Sequence, residues 1–434
     1  MFIILRQSSA RRLIILSILA LFIFLAAVIR QQMNELTSVI TPVEAGSDQV
    51  VISWQTRLEK NPNDAAAYAQ LGLAYLQQGR ETADPQLHTL AEQAFNEALT
   101  RDAQQADALM GQGMLALARH DFQVGLQWGQ RARESNPFRA QILGILVDAH
   151  TELGQYEEAV AMAQEMIDLR PDLASYSRVS YLRELHGDVN GAIGAMETAV
   201  ATTLPGSESW AWTQVQLGHL FLNKGDVDKA EAIYEEALYY RPDYPYALGG
   251  LARVQAARGN DEAAIEILRP LVERFPLPEF AILLGDLYTV NQQTDAAQQQ
   301  YDLVRLIQQL NEQAGVSVDL ELGLFEADHG QPATAVQKAR AAYHSRPSIL
   351  AADVLGWALY QDGQYEEAWV YAQEALRLGT QDALLHYHAG KIAQALGDAR
   401  QAQIYLEKAL IINPTFSILY APDAQAILAN YSSR

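Results

Sequence analysis

The chain has 434 residues, with 31 Lys and Arg against 52 Asp and Glu, no cysteine, and a formal net charge of −21. Nucleic-acid affinity comes mainly from Lys and Arg displacing counterions at phosphates, so an acidic chain makes a poor polyanion binder; the lack of cysteine removes disulfides, thiolate metal sites, thiol nucleophiles and an acylated lipoprotein cysteine. Because 49% of residues are hydrophobic and only 19% charged, this is no disordered acidic chain, and its length is ample for a large core.

In chain order, residues 1–12 carry Arg6, Arg11 and Arg12 and read as a basic, cytoplasmic N-terminus. Leu13 to Ile29 (LIILSILALFIFLAAVI) follows without a charge, proline or glycine. At about 1.5 Å per residue it spans roughly 25 Å, a little less than a hydrocarbon core, and flanking arginines can snorkel to make up the difference. The predicted element is a transmembrane anchor over 13–29. Three arginines precede it and only Arg30 follows closely, which places the bulk of the chain outside the cytoplasm. A cleaved signal peptide is the competing reading, although Ala26 and Ala27 are followed by Val28, Ile29 and Arg30 rather than a clear small-residue exit. Residues 30–46 read as a polar linker, and 47–61, with Val50, Trp54 and Leu58, as a lone capping helix.

Residues 62–416 repeat. LGHLFLNKGDVDKAEAIYEEALYYRPD, from Leu217 to Asp243, shows the unit: small Gly218, large Phe221, a Gly225-Asp226 turn, small Ala230, large Tyr234, small Ala237, then Pro242. Ala230, Ala264 and Ala297 stand 34 and 33 apart, Pro137 and Pro171 are 34 apart, as are Pro242 and Pro276, and Gly356 to Gly390 is 34. Each unit offers two apolar-periodic stretches of about 14 residues joined by a turn, which is amphipathic helix-turn-helix patterning. Small residues let the paired helices approach, large ones such as Tyr75, Phe95, Phe221 and Tyr234 fill the space beside them, and proline ends the second helix. No such unit buries its apolar face alone, so stability is shared along the array.

These residues resemble the tetratricopeptide repeat, over nearly everything after residue 60. The resemblance implies an all-α, right-handed superhelical solenoid of about ten units, starting near 65, 106, 140, 173, 211, 245, 278, 316, 349 and 383. It also implies that the first helix of each pair lines a concave face. Residues 417–434 are expected to cap the far end. Extra residues fall at RETADPQLH, expected within the inter-helix loop of the first unit, at TLPGSES, and at RLIQQLNEQAGV, which lengthens the second helix of unit seven. Tolerated loop insertions and hinges between blocks are both open readings of them.

No catalytic constellation is apparent: there is no P-loop, GxGxxG, HExxH or GxSxG in its proper context. His386 and His388, two apart on a helix, point in nearly opposite directions and cannot share a metal ion. Asp328-His329-Gly330 looks like a carboxylate–histidine dyad but sits where other units turn, so turn chemistry is expected. Neither cofactor nor metal is expected. The family's groove positions fall on Trp212, His219, Tyr246 and Arg253 in units five and six, with Tyr181 just before them. In units nine and ten they fall on Trp357, Tyr360, Tyr387 and Lys391, with Asp353 beside. Rings with a cation suit a peptide or helix, because aromatic side chains bury much area at little entropic cost; alternatively they only fill a tight superhelix. The basic and Asn residues of a carboxylate clamp for chaperone C-termini are missing.

The expectation is therefore a non-catalytic, membrane-anchored, extracytoplasmic scaffold that binds protein or peptide partners in its groove, with the assembly or maturation of envelope proteins as its most concrete role, and binds no nucleic acid. The alternative is a repeat domain for a glycan or small ligand. Residues 1–30 hold four arginines and no acid, leaving 27 basic against 52 acidic residues in the rest, so the acidic array would be held off an anionic membrane surface.

Overall fold

The computed structural model describes residues 47–82 and 84–432. The expected anchor 13–29, its basic flank 1–12 and the linker 30–46 lie outside the described residues, among which no helix is long and apolar enough to cross a membrane.

The described chain is all-α, with twenty-two helices. After α1 (Ser47–Lys60), pair one is α2 (Ala65–Thr82) with α3 (Gln86–Arg101), and pair two is α4 (Ala106–Ala118) with α5 (Phe122–Ser135). Pair three joins α6 (Ala140–Glu152) to α7 (Tyr156–Leu169), and pair four α8 (Leu173–Leu185) to α9 (Val189–Ala201). Pair five is α10 (Glu208–Asn223) and α11 (Val227–Tyr240), pair six α12 (Pro245–Ala257) and α13 (Asp261–Arg274), pair seven α14 (Pro278–Val290) and α15 (Thr294–Gln313). Pair eight is α16 (Asp319–His329) and α17 (Pro332–Ser345), pair nine α18 (Ile349–Gln361) and α19 (Tyr365–Ala375), pair ten α20 (Ala383–Ala395) and α21 (Ala399–Ile412), followed by α22 (Tyr420–Ser432). The helices of a pair lie along each other, and the second helix of each pair meets the first of the next.

Local chemistry explains the turn inside a pair. Gly225 has φ of 85°, the Asp226 N–H donates back to the Phe221 carbonyl at 2.9 Å, and the Asp226 side chain accepts from Lys229 N–H as the cap of α11. The dipeptide thus ends one helix with a left-handed residue and starts the next with a carboxylate. His120 and Gln292, at φ of 59° and 58°, take the left-handed place in pairs two and seven. In pair one the extra residues continue α2 to Thr82 and begin α3 at Gln86, so most of the expected loop insertion is helix.

One packing rule recurs. A ring from the second helix of a pair wedges against glycines on its own first helix and on the next pair's first helix. Phe95 fills the space over Gly72 and Gly111, and Tyr234 that over Gly218 and Gly250; both rings are fully buried. A Cβ on Gly250 would stand 2.6 Å from the Tyr234 ring, closer than atoms can pack.

The array winds far enough that its later pairs rest on its earlier ones. The Arg119 carbonyl accepts from Ser317 N–H at 2.9 Å, Ile349 N–H donates to the Tyr156 hydroxyl at 2.8 Å, and Asn413 Nδ2 donates to the Leu222 carbonyl at 3.0 Å. Tyr156, Leu185 and Ile349 share one buried cluster. Arg346, only 5% exposed, reaches Glu321 at 3.0 Å and Glu152 at 3.8 Å and lies over the Phe122 ring. Burial holds Glu152 above the usual carboxylate range against the pull of Arg346. The turns of pairs two to five meet, in order, the segments that follow pairs seven to ten, so a continuous seam joins two superhelical turns.

Candidate functional site on the inner face

A cavity of about 890 Å³ opens where pairs four to six face pair ten and the segment after it. Its apolar wall includes Leu220, Leu283, Leu350, Phe416 and Ile418, and Tyr181, 37% exposed, projects into it. Three cations also line it, and each has a neutral partner. Lys224 donates to Asn190 at 3.0 Å, Lys408 to Gln381 at 2.6 Å, and Arg253 to Asn223 and to His219 Nδ1, both at 3.3 Å. These three cations, none of them in an ion pair among the described residues, converge on this one cavity.

The cavity's acids are engaged. Asp188 pairs with Arg183 at 2.9 Å, and Asp382 accepts from the N–H groups of Leu384 and Leu385 at the start of α20. Glu184 is pushed up to about 7 by burial and then by Asp382 across the seam, with Asn223 pulling the other way. An unfolded glutamate releases its proton near 4.5. Between that value and about 7 the folded state therefore holds more protons than the unfolded one, so stability falls as pH rises through this window and the loss is complete above it. Glu184→Gln is expected to raise the thermal midpoint at pH 8 and leave it unchanged at pH 4, read by circular dichroism; equal shifts at both pH values would refute the assignment. A smaller cavity of about 450 Å³ adjoins Tyr181 on the other side, beside Glu152, Arg178, Glu321 and Arg346.

The groove residues expected from sequence fall into three groups, with Trp212 apart from all of them. Tyr181 and Arg253 line the large cavity. His219 and Tyr246 serve packing: His219 Nδ1 accepts from the buried Tyr234 hydroxyl at 2.7 Å, and Tyr246 nests among Tyr244, Phe275 and Phe280. Burial, then Arg253, push His219 down to about 3, so it is neutral near pH 7 and serves as an acceptor. Trp212 is 37% exposed and lines neither inner cavity.

The third group forms one aromatic cluster in pairs eight to ten. Trp357, 2% exposed, stacks on Tyr360 at 4.9 Å and on His388 at 4.1 Å, and its Nε1–H donates to Asp328 at 2.7 Å. Asp353, 5% exposed, meets His388 Nδ1 at 3.0 Å. Tyr387, 2% exposed, donates to Asp423 at 2.8 Å, and Lys391 reaches the same carboxylate oxygen at 2.9 Å. The Asp328-His329-Gly330 expectation is corrected here. Asp328 and His329 belong to the last turn of α16; Asp328 accepts from Trp357 and Tyr420, and His329 stacks on Tyr301 at 4.3 Å.

Sequence reasoning missed Lys224, Lys408, Glu184, Tyr420 and Asp423. No local pattern marks the first three, because only the seam brings them together. Tyr420 and Asp423 stand three apart on an amphipathic helix, which was readable, but that helix was assigned to capping alone.

Models of the tetratricopeptide repeat match residues 88–140, 140–173, 221–287, 349–381 and 383–416, together just over half of the chain. The chain is 26% identical over 231 residues to cellulose synthase 1 operon protein C of Komagataeibacter xylinus, an alignment covering 52% of this chain and 14% of that protein. It is 25% identical over 241 residues to protein CTR9 homolog of Arabidopsis thaliana, covering 54% of this chain and 22% of that one. The aligned segments span less than a quarter of either relative.

Proposed function

The chain belongs to the tetratricopeptide-repeat family, and on that premise we propose that it is a non-catalytic scaffold that takes a segment of a protein partner into the cavity between its two superhelical turns. The observation that carries this reading is the cavity's lining: an apolar wall with Tyr181 and three cations, Lys224, Arg253 and Lys408, whose hydrogen-bond partners are neutral. Such a surface suits an extended segment that brings both apolar side chains and carboxylates, since charge complementarity selects the partner and buried apolar area holds it. The alternative reading, a glycan or small ligand held by aromatic rings, would use Trp357 or Trp212; Trp357 is buried and Trp212 is 37% exposed but lines neither inner cavity, so the cavity favours the peptide reading.

The apolar run 13–29 supports placing this scaffold at a membrane, with the pairs outside the cytoplasm and partners drawn from the envelope. A photo-crosslinker at position 181 in intact membranes should yield a stoichiometric protein adduct. Arg253→Glu should lower that yield by about tenfold, the scale of a charge reversed within an interface. A yield indifferent to Arg253→Glu, or no adduct at all, defeats the cavity as the binding site. Protease added outside cells whose outer barrier has been opened should degrade the pairs; protection there defeats the topology.

A further inference from the structure

α22 does more than cover the end of the stack. Its first turn reaches across the inner face of three pairs. The Tyr420 ring stacks on Tyr387 at 4.9 Å and stands edge-on to Trp357, and its hydroxyl donates to Asp328 at 2.5 Å. One helical turn on, the Asp423 carboxylate accepts from both Tyr387 and Lys391. Between and after these anchors, Ala421 and Ala424 sit flush on the floor, 3% and 0% exposed. Pairs eight, nine and ten thus recognise one short helical pattern: an aromatic hydroxyl, a small residue, any residue, a carboxylate, a small residue.

The attachment is lighter than that of a helix inside the stack. Among the described residues of α22 only those two alanines are fully buried, with Tyr420, Ile427 and Leu428 half-buried against the same cluster, whereas α18 alone buries ten residues, Trp357 among them. Thirteen residues are too few to stay helical alone in water, so α22 gains its helix by docking and loses it on release. The groove is built independently of its occupant: Trp357 is held by stacking on His388 and by Asp328, and Tyr360 lies against it. Lys391, by contrast, finds its carboxylate only on α22.

We propose that the inner face of pairs eight to ten is a binding site for a partner helix carrying an aromatic hydroxyl and, three residues later, a carboxylate, and that α22 occupies this site as an internal competitor. The proposal rests on the scaffold reading and assigns it a second, helix-selective surface. A partner with the pattern on a longer amphipathic helix replaces the contacts of Tyr420, Ala421, Asp423 and Ala424 and adds its own apolar area, while α22 leaves as unfolded chain.

The test uses the full chain and a fluorescein-labelled peptide of residues 417–432, followed by fluorescence anisotropy. Tyr420→Ala with Asp423→Ala should bind the peptide at least tenfold more tightly than the unsubstituted chain, and adding Lys391→Glu should abolish the gain. Tyr420→Phe, which keeps the ring and loses only the hydroxyl, should show an intermediate gain. Equal binding by all forms overturns the proposal. So does loss of amide protection in α20 and α21 of the double variant by hydrogen exchange, since α22 would then be part of the fold itself. If the peptide result fails while the position-181 crosslink persists, this proposal falls and the scaffold reading stands. A crosslink that fails while the peptide binds overturns the cavity and leaves the helix site.

Discussion

A chain carrying Gly154→Ala and Gly187→Ala together will keep its helix pairs and fail to close its second superhelical turn on its first. Both glycines are left-handed, at φ of 70° and 77°. A methyl at Gly154 would be driven into the Pro347 carbonyl, and one at Gly187 into the Gly379 carbonyl; both obstacles are backbone and cannot swing aside. The strain of a non-glycine at positive φ, roughly 1–2 kcal/mol per site, must be separated from this clash. Gly259→Ala with Gly363→Ala is the matched control: φ of 74° and 78°, the same place in the pair, and no other atom within 4 Å. Both variants should lose similar local stability. Only the first should increase the radius of gyration by small-angle scattering and expose the Ile349 amide, now hydrogen-bonded to Tyr156, to exchange. Equal scattering from variant and control would show that the seam is passive contact.

The largest loss of stability is expected from Tyr234→Ala, at about 3–5 kcal/mol, the usual cost of emptying a fully buried aromatic site. Collapse cannot refill the space easily, because Gly218 and Gly250 contribute no side chains and their helices already touch the ring. Tyr234→Phe should cost about 1 kcal/mol, since it removes one hydrogen bond and leaves His219 Nδ1 with the Arg253 guanidinium at 3.3 Å. Urea unfolding followed by fluorescence gives the magnitudes. Hydrogen exchange should place the first loss of protection in pairs five and six, because each pair in a stacked array depends on its neighbours. A Tyr234→Ala cost below about 1 kcal/mol would contradict the wedge as a source of cohesion.

The all-α architecture and its helix pairs were legible from sequence because their determinants are local. Gly225-Asp226 ends and begins helices within a few residues, and Tyr234 finds its glycines on adjacent helices. Gly187 and Gly259 look alike in sequence, each ending the first helix of a pair, yet one faces another turn of the superhelix and the other faces solvent. The difference depends on residues nearly two hundred positions away, which no local pattern encodes. The same limit governs the inner face. Family positions named Tyr181 and Arg253, which line the cavity, alongside Trp357 and Tyr387, which lie beneath α22, because the spacing of one helix says nothing about what crosses over it.

The seam also bears on how such a chain can change length. In an open stack a repeat can be gained or lost almost anywhere, because each unit touches only its neighbours. Here the joined residues His120 and Ser317, Tyr156 and Ile349, and Leu222 and Asn413 lie 197, 193 and 191 positions apart at three of the crossings, so the second turn reads off the length of the first like the scale of a vernier. Duplicating one pair between Leu222 and Ser317 would put every crossing out of step. The surface that limits such duplication also gives an array of interchangeable units a fixed number of members.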